Sequence, residues 1–206
     1  MEADYRPRGF WALVVTQFQG AFNDNVYQWL IIYSLIAGLK GADGGGIVHF
    51  SLLGHNLTVA PYDYVTSLST FLFSLPFILF PSLFGAVADK YSKGKLAIVT
   101  KVLEVGIMVA GGLAFLHGDP LIIWGILFLM ATQSSLFGPV KYGIMPEILP
   151  ERRLSWANGI IQMSTIAAVI FGVQAAGQLF KPFEDRLYLT SLILVVLSAL
   201  GTLTAT

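Results

Sequence analysis

Apolar residues run along this chain in six long blocks, at residues 10–39, 65–88, 96–116, 121–137, 156–180 and 187–206. A bilayer core about 30 Å thick is crossed by roughly 20 mostly apolar residues in a helix, so each block predicts one transmembrane helix. The fourth and sixth are the shortest. Residues 40–46, 89–95, 117–120, 138–153 and 181–186 hold most of the charges and several helix breakers, and they read as loops. The fold class expected is an all-α membrane protein, one six-helix transmembrane domain over residues 1–206.

Composition agrees with that reading. The 206 residues are 55% hydrophobic and 12% charged, with a mean hydropathy of +0.72, whereas soluble domains carry about a quarter charged residues. Twelve Lys and Arg balance twelve Asp and Glu, which removes the basic excess of a nucleic-acid binder. The absence of cysteine excludes disulfides, thiolate metal sites and cysteine nucleophiles. His49, His55 and His117 lack metal-ligand spacing, the glycine-rich residues 41–46 lack the Gly-Lys-Ser/Thr ending of a phosphate loop, and Asn56-Leu57-Thr58 is only a short glycosylation match. No cofactor is expected.

Cytoplasmic loops collect Lys and Arg. Six spans put Arg6, Arg8, Lys90, Lys93, Lys95, Lys101, Lys141, Arg152 and Arg153 on one side and Lys40, Lys181 and Arg186 on the other. The N-terminus is therefore expected in the cytoplasm. Arg6 and Arg8 before an apolar run imitate a signal peptide, but the run is too long and is interrupted by Asn23-Asp24-Asn25. It reads as the first span.

Polar groups at membrane depth are expensive and face a bundle interior or a wet cavity. In the first span Gln17, Asp24 and Gln28 fall on one helical face with Gly20 and Ala21, and Asn23 lies beside them. Asp24, near the middle, is the leading candidate for a group lining a substrate or ion pathway, against the plainer role of a hydrogen bond between helices. Lys101 and Glu104 are spaced for an internal ion pair, equally open to structural and functional readings. Thr132-Gln133-Ser134-Ser135 reads mainly as polar glue between helices, and Ser164, Ala168, Gly172 and Ala176 form a ridge for close helix approach. Gln162, Gln174 and Gln178 lie off that ridge as weaker cavity candidates.

Between the second and third spans stands Gly85-Ala86-Val87-Ala88-Asp89-Lys90-Tyr91-Ser92-Lys93-Gly94-Lys95, which resembles the G-x-L-A-D-R-x-G-R-K signature of the major facilitator superfamily, with Ser92 and Gly94 as departures. In physical terms Gly85 would allow close helix contact, Asp89 would pair at a helix end, and Lys90, Lys93 and Lys95 would meet the inner-leaflet charge. Gln17-Phe18-Gln19-Gly20-Ala21-Phe22-Asn23-Asp24-Asn25 and Gly138-Pro139-Val140-Lys141-Tyr142-Gly143-Ile144-Met145-Pro146-Glu147, continuing to Ala157-Asn158-Gly159, look like the lysophospholipid transporter family within that superfamily.

That resemblance implies one half of a twelve-helix bundle, a three-plus-three inverted repeat. It also implies lysophospholipid and membrane lipids as partners, an acyltransferase fused to some members, and an inner-membrane location. Asp24 would belong to the polar pathway and Asp89 to a cytoplasmic gate. The sixth block reaches Thr206 with no basic anchor, so a longer protein is expected. A drug or metabolite exporter of the same fold is the second reading, although residues 172–178 lack the Gly-Pro of proton-coupled drug exporters. A membrane-embedded enzyme or assembly subunit comes last, because no catalytic constellation is visible.

Overall fold

The computed structural model describes residues 7–41, 48–52 and 55–205. The glycine-rich residues 42–47, as well as Arg6 and Thr206, lie outside them. Every apolar block becomes helical: α1 Pro7–Gly41, α2 Pro61–Leu79 with α3 Pro81–Lys90, α4 Lys93–His117, α5 Pro120–Ile148, α6 Glu151–Phe183 and α7 Leu187–Ala205. Three of these (α4, α5 and α6) are long and apolar enough to cross a membrane, and α2 with α3 makes a fourth if the bent pair is one span. The polar centre of α1 lowers its hydropathy, and α7 adds a shorter apolar stretch, Leu187–Thr202. The chain is a multi-pass all-α membrane protein.

One element was not expected. Between α1 and α2 the antiparallel strands β1, Val48–Leu52, and β2, His55–Val59, form a hairpin in which Leu52 pairs with His55 and Val48 with Val59.

Proline and glycine set the joints. Pro81 has no N–H to continue the α2 ladder, and the chain bends 49° there, with the Phe80 N–H closing on the Pro76 carbonyl at 3.0 Å. Gly118 ends α4 in the left-handed region (φ 77°), the Asp119 side chain accepts from the Leu121 N–H at 2.8 Å, and Pro120 opens α5. The expected loop at 117–120 is thus a tight turn. The loop expected at 138–153 is not there: α5 continues through Pro139 and Pro146 to Ile148, and only Leu149 and Pro150 separate it from α6. Proline is tolerated in such helices because neighbouring groups satisfy the freed carbonyls.

The small-residue ridge of α6 packs on α1. Ala168, Gly172 and Ala176 are buried, the Ser164 hydroxyl donates to the Val14 carbonyl at 3.5 Å, and a Cβ at Gly172 would stand 2.9 Å from the Phe22 carbonyl oxygen. Only glycine permits that approach. Two apolar clusters form the core. One gathers Tyr27, Leu30, Ile31, Met108, Leu127 and Leu194, the other Phe10, Leu13, Ala97, Val140 and Ile161. Between them along α1 lies a polar layer at Gln17, Asn23 and Asp24. Exposed Ile166, Ile170 and Phe171 on α6, like Leu113 and Leu116 on α4, cover the outside with apolar surface that lipid satisfies.

Candidate functional site

The polar layer opens into a cleft of about 380 Å³. Its lining comes from five helices: Gln17, Gly20, Ala21 and Asp24 on α1, Phe73 and Phe77 on α2, Lys101 and Glu104 on α4, Gln133, Ser134, Phe137 and Lys141 on α5, and Thr165 and Val169 on α6. The ridge contact of α6 with α1 sets one wall. It brings Gln17 to Thr165, whose hydroxyl accepts from the amide at 2.9 Å.

Asp24 is 6% exposed. One carboxylate oxygen accepts a hydrogen bond from the Ser134 hydroxyl, and the other has no hydrogen-bond partner among the described residues. A buried carboxylate oxygen without a donor is costly unless a cation, a proton or a ligand reaches it.

Behind this group lies a separate network. Lys101 and Glu104, one turn apart on α4, form an ion pair of 2.7 Å with both side chains 2% exposed. Gln19 closes the pair from α1, accepting from Lys101 at 2.8 Å and donating to Glu104 at 3.0 Å. Asn23 donates to Glu104 at 3.2 Å and to Ser198 at 2.7 Å, while Ser198 donates to Glu104 at 2.8 Å. The network ties α1, α4 and α7 together. Gly20 gives Lys101 its place, since a Cβ there would meet the ammonium at 2.9 Å.

Of the residues read from sequence, Gln17, Asp24 and Glu104 share the cleft. Asn23 is fully buried on the α7 side of Glu104, and Gln28 is buried without lining the cleft. Eleven residues make three helical turns, so Gln28 keeps the face that Gln17 starts but lies about 16 Å further along α1, beyond the cleft. Ser134 and Gln133, read as glue, both bridge helices: Ser134 donates to the Asp24 carboxylate on α1 and Gln133 to the Thr100 carbonyl on α4 at 2.9 Å. Gln19 and Thr165 were missed, although each is a polar residue within an expected span, the signal by which Asp24 was found, and Lys141 was missed because residues 138–153 read as a loop that the structure makes part of α5.

The signature segment sits at the break between α3 and α4. Gly85 does not provide close helix contact, because a Cβ there would meet nothing within 4 Å. Its face of α3 is open. Asp89 is exposed and has no ion pair among the described residues. The cross-helix contact belongs instead to Lys93, paired with Glu147 near the end of α5 at 3.0 Å. Gly143 makes room for it, since a Cβ there would stand 2.8 Å from the Lys93 stem. Lys90 lies over the Tyr91 ring at 5.8 Å, and Lys95 is exposed. Among the described residues no group of three or more His, Asp or Glu side chains is placed to hold a metal ion.

No protein-family model matches the sequence. The lysophospholipid transporter LplT of Cronobacter sakazakii is 31% identical over 175 residues, 84% of this chain and 36% of that protein. Over most of its length the chain is similar in sequence to a lysophospholipid transporter. The lysophospholipid transporter LplT of Salmonella heidelberg is 28% identical over 173 residues, again 84% of this chain and 36% of the relative. The chain spans about a third of the length of the curated relatives it matches. Both relatives are named as transporters.

Proposed function

We propose that this chain is the N-terminal six-helix part of a secondary transporter that carries lysophospholipid, such as lysophosphatidylethanolamine, across the bacterial inner membrane by alternating access. The observation that carries the reading is Asp24, a carboxylate in an open cleft with one oxygen lacking a donor among the described residues. The apolar side chains of Phe73, Phe77 and Val169 line the same cleft. An amphiphile with an ammonium in its headgroup suits both features, and the names of the relatives point to the same substrate class. Uptake of labelled lysophosphatidylethanolamine into cells that express the protein should exceed uptake into cells that lack it. Export of a cationic dye with no lipid uptake would favour the drug-exporter reading and overturn this one.

In this reading the N-terminus, the α3–α4 joint and the α5–α6 joint face the cytoplasm, and the hairpin faces the opposite side, following the basic residues. Asp89, exposed here, serves a cytoplasmic gate and enters a helix-end contact in the opposite access state. The native chain has no thiol, so single cysteines report cleanly. An impermeant reagent on intact cells should label Ser51→Cys and spare Ser92→Cys, and the reverse pattern would overturn the orientation. In inverted vesicles Asp89→Asn should change the labelling rate of Ser92→Cys by several fold, and an unchanged rate would remove Asp89 from the gate.

A further inference from the structure

Two lysines line the cleft, and only one of them is neutralised by a carboxylate among the described residues. The Lys101 ammonium is held by Glu104 and Gln19. Lys141 is half-buried in the same cleft and has no carboxylate partner among the described residues. Its Nζ lies 5.1 Å from the centre of the Tyr142 ring. A ring face attracts the cation but leaves its N–H donors available to an acceptor. The Tyr142 oxygen accepts from the Gln162 amide at 2.7 Å, so its own O–H remains free to donate. One end of the cleft therefore presents a cation and a hydroxyl donor.

We propose that Lys141 and Tyr142 form an anion subsite that takes the phosphate of a lysophospholipid while Asp24 takes the ammonium. The inference rests on the lysophospholipid reading above and assigns the half of the headgroup that Asp24 cannot hold. Charge balance supports it. Asp24 and Glu104 set against Lys101 alone would leave the cleft negative and repel a phosphate, and Lys141 brings it to neutrality, matching a zwitterion. Placement supports it as well. Lys141 follows Ser134, the donor to Asp24, by seven residues on α5, about 10 Å along the axis. Helical side chains lean back toward the N-terminus, which brings the Lys141 ammonium toward the carboxylate.

The test is binding to the protein in nanodiscs of four probes: lysophosphatidylethanolamine, lysophosphatidic acid, monoacylglycerol of the same chain length, and inorganic phosphate. Lys141→Gln should weaken both phosphate-bearing lipids at least tenfold and leave monoacylglycerol unchanged, and Lys141→Arg should retain most of the affinity. Asp24→Asn should weaken lysophosphatidylethanolamine but spare lysophosphatidic acid. If Lys141→Gln binds lysophosphatidic acid within twofold of the unsubstituted protein, the subsite is wrong whatever Asp24 does. If Lys141→Gln has its effect and Asp24→Asn has none, the subsite stands and the ammonium assignment falls. Millimolar inorganic phosphate that binds in a Lys141-dependent way, with no lipid binding, would overturn the lipid assignment in favour of free phosphate. Failure of every probe to bind would overturn both readings.

Discussion

Asp24→Asn is expected to lower lysophosphatidylethanolamine transport ten- to hundredfold while the protein still inserts and assembles. Asparagine keeps the size of the side chain, and its amide oxygen can accept from Ser134 as the carboxylate does. What disappears is the negative charge at the oxygen that has no donor among the described residues. A hydrogen bond to a charged group contributes about 1.5–3 kcal/mol, and each 1.4 kcal/mol is roughly a factor of ten. Asp24→Ala should lose transport as well and, by leaving the Ser134 hydroxyl without its acceptor, some stability. If Asp24 were only a link between α1 and α5, the order would reverse: Asp24→Ala would lower stability and Asp24→Asn would transport almost normally. Uptake normalised to protein recovered from the membrane, with thermal unfolding in detergent alongside, separates the two cases. Near-normal uptake by a well-expressed Asp24→Asn variant would exclude Asp24 from the transport pathway.

The second large effect is expected at Lys101. Lys101→Met fills a similar volume but leaves Glu104 charged and 2% exposed. Gln19, Asn23 and Ser198 would still donate to it. These neutral donors do not cancel a charge, and removing one partner of a buried ion pair costs about 3–5 kcal/mol. Lys101→Met combined with Glu104→Gln removes both charges and keeps an acceptor for the three donors, so it should recover most of that loss. Unfolding midpoints of the single and double variants, read by loss of helical signal in denaturant, decide the matter. A single variant within about 1 kcal/mol of the unsubstituted protein would show that the pair contributes little to holding α1, α4 and α7 together, given that surface-like pairs contribute about 0–1 kcal/mol.

The same two residues mark how far local spacing reaches. Their separation of three along α4 was enough to predict the pair, because neighbours on one helix face meet whatever else packs nearby. Gln19 and Ser198, which complete the network, come from α1 and α7. Nothing in their local sequence names Glu104 as their partner. The ridge on α6 was legible as a surface for close approach, yet that it would meet α1, and so carry Thr165 to Gln17, depended on how the bundle assembled.

Properties that depend on a residue and its near neighbours were determined by the sequence alone. The six apolar blocks became helices because each satisfies its own backbone hydrogen bonds, the turn at 117–120 followed from Gly118, Asp119 and Pro120, and a carboxylate at mid-depth in α1 demanded an enclosed polar setting. Properties set by which helix faces which were decided by the tertiary structure. It carried α5 through Pro139, left open space on the Cβ side of Gly85 and gave the cross-helix contact to Lys93 and Gly143. It also divided two lysines of one cleft, one held by Glu104 and the other left facing the cavity. The physical reason is reach: backbone hydrogen bonds, caps and helical faces are settled within a few residues, whereas the partner of a side chain belongs to a helix that can lie a hundred residues away.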